Sequence, residues 1–244
     1  MGGLEIDRYL GNISLSRIST DGQKKISSSM VSVIGLGGTG GMAAELFART
    51  GVGKIRLIDF DRVSITNLQR QIVYQESDIG NLKPEALGRR IRSVNHNVEV
   101  ELISEKLTAS NDDIIGKPDL IFDGTDNFSA RNIVNRYSVK NRIPWIMTAV
   151  NETYGTVKAV IPGKTSCISC LGYPESGGEN VGCAQSGILS SAPAVVSSMA
   201  FSLALRTLLG DQMDGDILYI DIWNLSMERI HNERNPSCPV CGSL

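Results

Sequence analysis

Apolar and polar residues change period repeatedly along this chain, from the two of a strand to the 3.6 of a helix. Residues 31–34, Val-Ser-Val-Ile, form a short β-branched run that predicts a strand, and helical spacing follows at 42–49. A second strand is predicted over Lys54–Ile58, then a helix at 84–94, strands at 98–103 and 119–122, a helix over Phe128–Asn141 and a strand at 144–150. That rhythm predicts an α/β fold with a doubly wound, mostly parallel sheet. Beyond it, a β-rich return at 156–161, an apolar helix over Ala192–Leu209 and an alternating pair at 217–222 and 226–231 predict antiparallel strands extending the sheet. Residues 1–30 are polar, with an amphipathic piece at 6–18 and a helix start at Thr20-Asp21-Gly22-Gln23. They read as an arm lying on the domain or on a partner. No Gly/Ser/Pro-rich linker divides 31–244, which reads as one domain with a C-terminal extension.

Composition narrows the partners. The 244 residues carry a net charge of −2, which gives no electrostatic footprint for nucleic acid or an anionic membrane. The most apolar stretch, 188–209, is interrupted by Ser190, Ser191, Pro193, Ser197, Ser198, Ser202 and Arg206. It reads as a buried helix and not as a bilayer span. The start of the chain has no secretory pattern, so the cytoplasm is the expected compartment.

The first predicted strand runs directly into Gly35-Leu36-Gly37-Gly38-Thr39-Gly40-Gly41 and then into a helix. A strand, a tight Gly-x-Gly-x-x-Gly turn and a helix start make an anion site, because backbone N–H groups and the positive helix end face an approaching phosphate. The next strand ends at Asp59-Phe60-Asp61, where a ribose-binding carboxylate belongs. Asn67-Leu68-Gln69-Arg70-Gln71 follows and sets polar donors over the same site. Lys83 comes just before Pro84, so an extended lysine is expected at a helix entrance. On composition alone, Lys83 and Arg70 are ordinary solvated charges. The strand at 119–122 leads into Asp123-Gly124-Thr125-Asp126-Asn127, at the strand ends where ligands sit in open α/β sheets. Asp126 suits magnesium, while Thr125, Asp126 or Asn127 can cap the following helix.

Four of the five cysteines form two pairs, Cys167/Cys170 and Cys238/Cys241, each with C-x-x-C spacing. Paired knuckles predict a four-thiolate zinc site pinning the C-terminal tail to the body. Two disulfides or redox dithiols are the alternatives.

In this combination and order, the glycine turn, Asp59-Phe60-Asp61, Asn67 to Gln71, Lys83-Pro84, Asp123 to Asn127 and the cysteine pairs resemble the ThiF/MoeB/HesA family, from about residue 8 to residue 242. The resemblance implies a Rossmann-like fold that binds ATP and adenylates the C-terminal glycine of a small ubiquitin-like sulfur-carrier protein ending in Gly-Gly. It implies that Gly35, Gly37, Gly38 and Gly40 take the nucleotide and that Asp59, next to Asp61, takes its ribose. Asn67, Arg70, Gln71 and Lys83 are implied for the phosphates, and Asp126, with Asn127 beside it, for magnesium. A homodimer is implied as well. Cys183 lies where relatives carry a cysteine that in some of them links covalently to the carrier; its alternative is a packing role. The arm departs from the family pattern. Arg8-Tyr9-Leu10-Gly11-Asn12 has Gly11 in place of the arginine expected to reach the neighbouring subunit; either Arg8 or Arg17 substitutes for it, the ATP site works without it, or activity is weakened.

Other readings remain at this point. The same fold can adenylate a carboxylate on modified tRNA, or carry a decayed site in a nucleotide-binding interaction module. A nicotinamide-dependent dehydrogenase is disfavoured, since the donors at 67–71 and Lys83 suit phosphates. The two histidines, His96 and His231, read as structural.

Overall fold

The structure, a computed structural model, describes residues 7–172 and 187–244. Eight strands form one sheet in the order β3-β2-β1-β4-β5-β6-β7-β8. The strands are β1 (Met30–Ile34), β2 (Lys54–Ile58), β3 (Glu99–Ile103), β4 (Leu120–Asp123), β5 (Trp145–Asn151), β6 (Tyr154–Val160), β7 (Ile217–Asp221) and β8 (Ser226–Ile230). β1 to β5 run parallel, and β6 to β8 continue the sheet antiparallel. The main helices are α1 (Ser19–Ser28), α2 (Gly38–Thr50), α3 (Lys83–Val94), α4 (Phe128–Asn141) and α5 (Ala192–Leu209). The α/β architecture expected from the sequence is the one observed, with its antiparallel extension.

The central parallel strands β1 and β4 are almost wholly apolar because both their faces are covered, whereas β2 and the edge strand β3 carry Lys54, Arg56, Glu99 and Glu101. Val31 and Val33 of β1, Ile55 and Leu57 of β2, and Leu120 and Phe122 of β4 join one core with α2 and α5. Ile34, Ile58, Ile121, Trp145 and Met147 join a second core with Val134 and Tyr137 of α4 and with three of the cysteines. Ser32 is the polar exception in β1, and its hydroxyl donates to the Ile115 carbonyl at 2.8 Å. Residues ahead of β1 lie on the body: Ile18 and Ile26 enter the first core, and Gln23 Nε2 donates to the Thr50 carbonyl at 2.9 Å.

α5 is long and apolar enough to cross a membrane by length and composition alone. Here it packs on α2, β5 and β6, with Val196, Ser197, Ala200 and Ala204 buried. α2 and α3 are bridged by Glu45, which accepts hydrogen bonds from Arg49 and Arg90. Lys158 of β6 is fully buried; its ammonium donates to Ser166 Oγ at 2.9 Å, to Asn232 Oδ1 at 2.8 Å and to the Gly215 carbonyl. Burial pushes its pKa down to about 8.

One local expectation changes. Lys83 does not flank a helix in extended form; it is the first residue of α3, and Leu82 with ψ 137° is the extended one. The Lys83 N–H donates to the Asp61 carbonyl at 2.9 Å, which draws the helix start one residue forward.

Candidate functional site

The strand order reverses between β1 and β4, so the crevice beyond their carboxyl ends is the place for a ligand in this topology. Gly35 directly follows β1, and its φ of +77° is a conformation that disfavours a side chain; a Cβ there would lie 2.8 Å from the Gly124 backbone. A Cβ on Gly40 would lie 1.9 Å from the Gly35 carbonyl oxygen, so α2 can start this close to the turn only with glycine. The Gly35–Gly40 turn and the Asp123–Asn127 turn therefore meet backbone to backbone. Gly37 is the N-cap of α2, which leaves backbone N–H groups of its first turn facing outward.

Asp59 lies behind this turn. Its Oδ2 accepts from Leu36 N–H at 2.7 Å and its Oδ1 from Asp61 N–H at 2.8 Å. Burial raises its pKa, and the nearby Lys83 charge and the two backbone donors oppose that rise. Lys83 is only 5% exposed, so the solvated charge expected from composition is not what the fold makes of it. Its Nζ is 3.0 Å from Asp61 Oδ2 and 3.9 Å from Asp59 Oδ2.

The segment after β2 folds over the turn. Asn67 Oδ1 accepts from Ser64 N–H at 3.2 Å, so the donor end of its amide is the part it can offer to a ligand. Arg70 is half-buried, and its Nη1 donates to the Thr66 carbonyl at 3.1 Å. Gln71 is buried beside Gly37, and its Oε1 has no hydrogen-bond partner.

On the other wall, Asn127 takes the capping role: its Oδ1 accepts from Ala130 N–H at 2.9 Å at the start of α4. Asp126 is exposed and has the freer carboxylate. Asp123 is its opposite, fully buried and bound by Thr125 N–H, Thr125 Oγ1 and Arg131 Nε. Burial raises the Asp123 pKa against the charge of Arg131. Arg131 Nη2 also donates to the carbonyls of Thr125 at 2.7 Å and Thr148 at 2.9 Å, tying the Asp126 turn to β5. Sequence reasoning missed the work of Asp123, Arg131 and Thr148, and of Tyr74, whose hydroxyl donates to the Leu36 carbonyl at 2.8 Å. Asp123 stood inside a quoted motif, but its burial and its partner eight positions on come from packing.

The four paired cysteines converge, all sulfurs lying within 4.8 Å of one another. Cys167 and Cys238 are 3.7 Å apart, Cys170 and Cys241 3.4 Å, and Cys167 and Cys170 4.0 Å. A tetrahedral zinc with metal–sulfur bonds of about 2.3 Å needs sulfur–sulfur edges of about 3.8 Å, so this donor set fits one.

Some expected residues lie elsewhere. Arg8 Nη1 donates to the Val94 carbonyl at 3.0 Å, at the end of α3 opposite Lys83. Arg17 is exposed, as is His96, and exposed His231 lies 2.9 Å from Asp216. Cys183 falls outside the described residues.

This architecture and sequence have known counterparts. The chain is 35% identical over 243 residues to a sulfur carrier protein ThiS adenylyltransferase of Bacillus subtilis, covering 97% of this chain and 71% of that protein. It is 33% identical over 247 residues to a sulfur carrier protein adenylyltransferase of Thermus thermophilus, covering 98% and 91%. To a molybdopterin-synthase adenylyltransferase of Escherichia coli it is 31% identical over 244 residues, covering 98% and 97%. The fold matches a crystal structure of E. coli MccB with a TM-score of 0.84 at 23% identity, over 97% of this chain and 74% of that one. Residues 9–240 match the ThiF family, and the chain belongs to it.

Proposed function

We propose that this chain is an adenylyltransferase that uses ATP and magnesium to activate the C-terminal glycine of a small ubiquitin-like sulfur-carrier protein ending in Gly-Gly. The observation that carries the reading is Lys83, an ammonium buried at the start of α3 between Asp59 and Asp61 and behind the glycine turn. The relatives named as adenylyltransferases of sulfur carriers support it over nearly the whole chain.

A carboxylate is a poor electrophile, and its activation here joins one of its oxygens to the α-phosphorus of ATP. The bond from that phosphorus to the bridging oxygen breaks, and pyrophosphate leaves. The nucleophile is already ionised near neutral pH, so no general base is required. The difficulty is negative charge gathering on the phosphates, and positioned donors relieve it. In this reading Lys83, Arg70, the Asn67 amide and the N–H groups at the start of α2 supply those donors. Asp59 orients the ribose. Asp126 would hold magnesium, which would supply positive charge to offset the charge gathering on the phosphates. Cys167, Cys170, Cys238 and Cys241 hold a structural zinc, and the working form is a cytoplasmic homodimer.

ATP–pyrophosphate exchange measured with and without a Gly-Gly-ending carrier protein tests the reading. Exchange that depends on the carrier is expected. Exchange that requires tRNA instead, or ATP binding with no exchange for any carrier, overturns it.

A further inference from the structure

The two peptide units that meet at Leu36 are each held by a group from outside the glycine turn. Leu36 N–H donates to Asp59 Oδ2 at 2.7 Å, and the Leu36 carbonyl accepts from the Tyr74 hydroxyl at 2.8 Å. Tyr74 is 7% exposed. Burial, with the charges of Asp59, Asp78 and Asp61, raises its pKa far above that of an ordinary phenol, so the hydroxyl keeps the proton it donates. All peptide bonds here are trans, and in a trans peptide the C=O and N–H point in opposite directions. Fastening the Leu36 carbonyl inward on Tyr74 therefore turns the Gly37 N–H outward, away from the buried ring.

Tyr74 also belongs to the segment that carries the expected phosphate donors. Gln71 N–H donates to the Asn67 carbonyl at 2.9 Å, and Tyr74 N–H to the Gln71 carbonyl at 3.1 Å. Val73 lies against Gly41 in α2, and Gln71 lies beside Gly37. One phenol oxygen thus links the two halves of the cradle, the glycine turn and the Asn67–Gln71 segment.

We propose that Tyr74 is a positioning residue of the nucleotide site: its hydroxyl orients the Leu36–Gly37 peptide so that the Gly37 N–H meets a phosphate, and it sets the spacing between that turn and Arg70 and Gln71. The inference rests on the nucleotide reading above. It requires the effect of losing the hydroxyl to fall on the phosphates and not on the nucleoside.

Tyr74→Phe keeps the ring and removes only the hydroxyl. Binding of magnesium–ATP and of adenosine is measured by calorimetry for the full chain, together with KM for ATP and for the carrier in the exchange reaction. ATP affinity is expected to fall about tenfold, the size of one buried neutral hydrogen bond, with adenosine affinity and the carrier KM unchanged. Tyr137→Phe is the matched control, because its hydroxyl donates to the Gly116 carbonyl at 2.7 Å, ahead of β4 and away from the crevice. It is expected to lower the melting temperature comparably while leaving ATP affinity alone. Unchanged ATP affinity in Tyr74→Phe, equal losses for ATP and adenosine, an equal loss in the control, or failure of Tyr74→Phe to fold would each overturn the proposal. A wild-type chain that binds no ATP overturns the nucleotide reading first, and this inference with it.

Discussion

Lys83 and Asp59 face each other inside the protein, Nζ to Oδ2 3.9 Å, with each side chain 7% exposed. Asp61 Oδ2 completes the group at 3.0 Å from the ammonium. A charge held this way cannot swing out to find a ligand, so in the proposed reading the phosphate comes to it at the mouth of α3.

Replacing that charge is therefore expected to cost both binding and folding. Lys83→Met should lower pyrophosphate exchange by about a hundredfold or more, as loss of a preorganised donor does. It should also destabilise the fold by about 3–5 kcal/mol, because Asp59 is left buried without its cation. Exchange assays and urea unfolding of the same preparation measure the two effects together.

Two carboxylates three positions apart should behave in opposite ways. Asp126 is exposed, so Asp126→Asn is expected to leave stability within about 0.5 kcal/mol while exchange falls and its magnesium dependence moves to higher concentration. Asp123→Asn should instead destabilise by about 3–5 kcal/mol, since it leaves Arg131 buried and unpaired. Magnesium titrations and melting curves separate the pair.

Glu45 offers a pH test away from the crevice. Burial pushes its carboxyl up, but hydrogen bonds and charge from Arg90 and Arg49 outweigh that and hold its pKa below the ordinary 4.5. Its contribution to stability is then complete above the unfolded-state value and fades as pH falls through the lower folded-state value. Glu45→Gln is expected to cost about 1–3 kcal/mol at pH 7, with the gap to wild type closing as pH falls below the ordinary carboxylate range. Urea midpoints across that range give the answer.

Removing one sulfur should release the metal without touching the crevice. Cys241→Ser is expected to abolish stoichiometric zinc, read by elemental analysis, and to expose residues beyond β8 to proteolysis. ATP binding measured by calorimetry should persist, because the glycine turn and Lys83 lie on other elements.

Much of this was legible in the residues. The strand–glycine–helix unit around Gly35, the run of β/α alternation and the paired cysteines are local patterns, and local patterns survive in sequence. The burial of Lys83 was not legible, because a lysine before a proline looks like any solvated cation until β2 and α3 close around it. Nor was the pairing of Asp123 with Arg131, which depends on β4 feeding α4 so that the helix's first turn comes back over the strand end. Tyr74 carries no local signal of its own, and its hydroxyl acquires meaning only when the glycine turn comes within reach. Lys158 in a β-rich run gave no sign that it lies in the interior.

That interior ammonium bears on how the chain's last segment is kept. With its donors spent on Ser166, Gly215 and Asn232, it joins the residue before the first knuckle, the bend ahead of β7 and the strand exit toward the second knuckle. The tail is thus moored to the sheet by an organic cation as well as through the four converging sulfurs. If those sulfurs hold the proposed zinc, stripping it is expected to open the knuckle while the Lys158 mooring still holds.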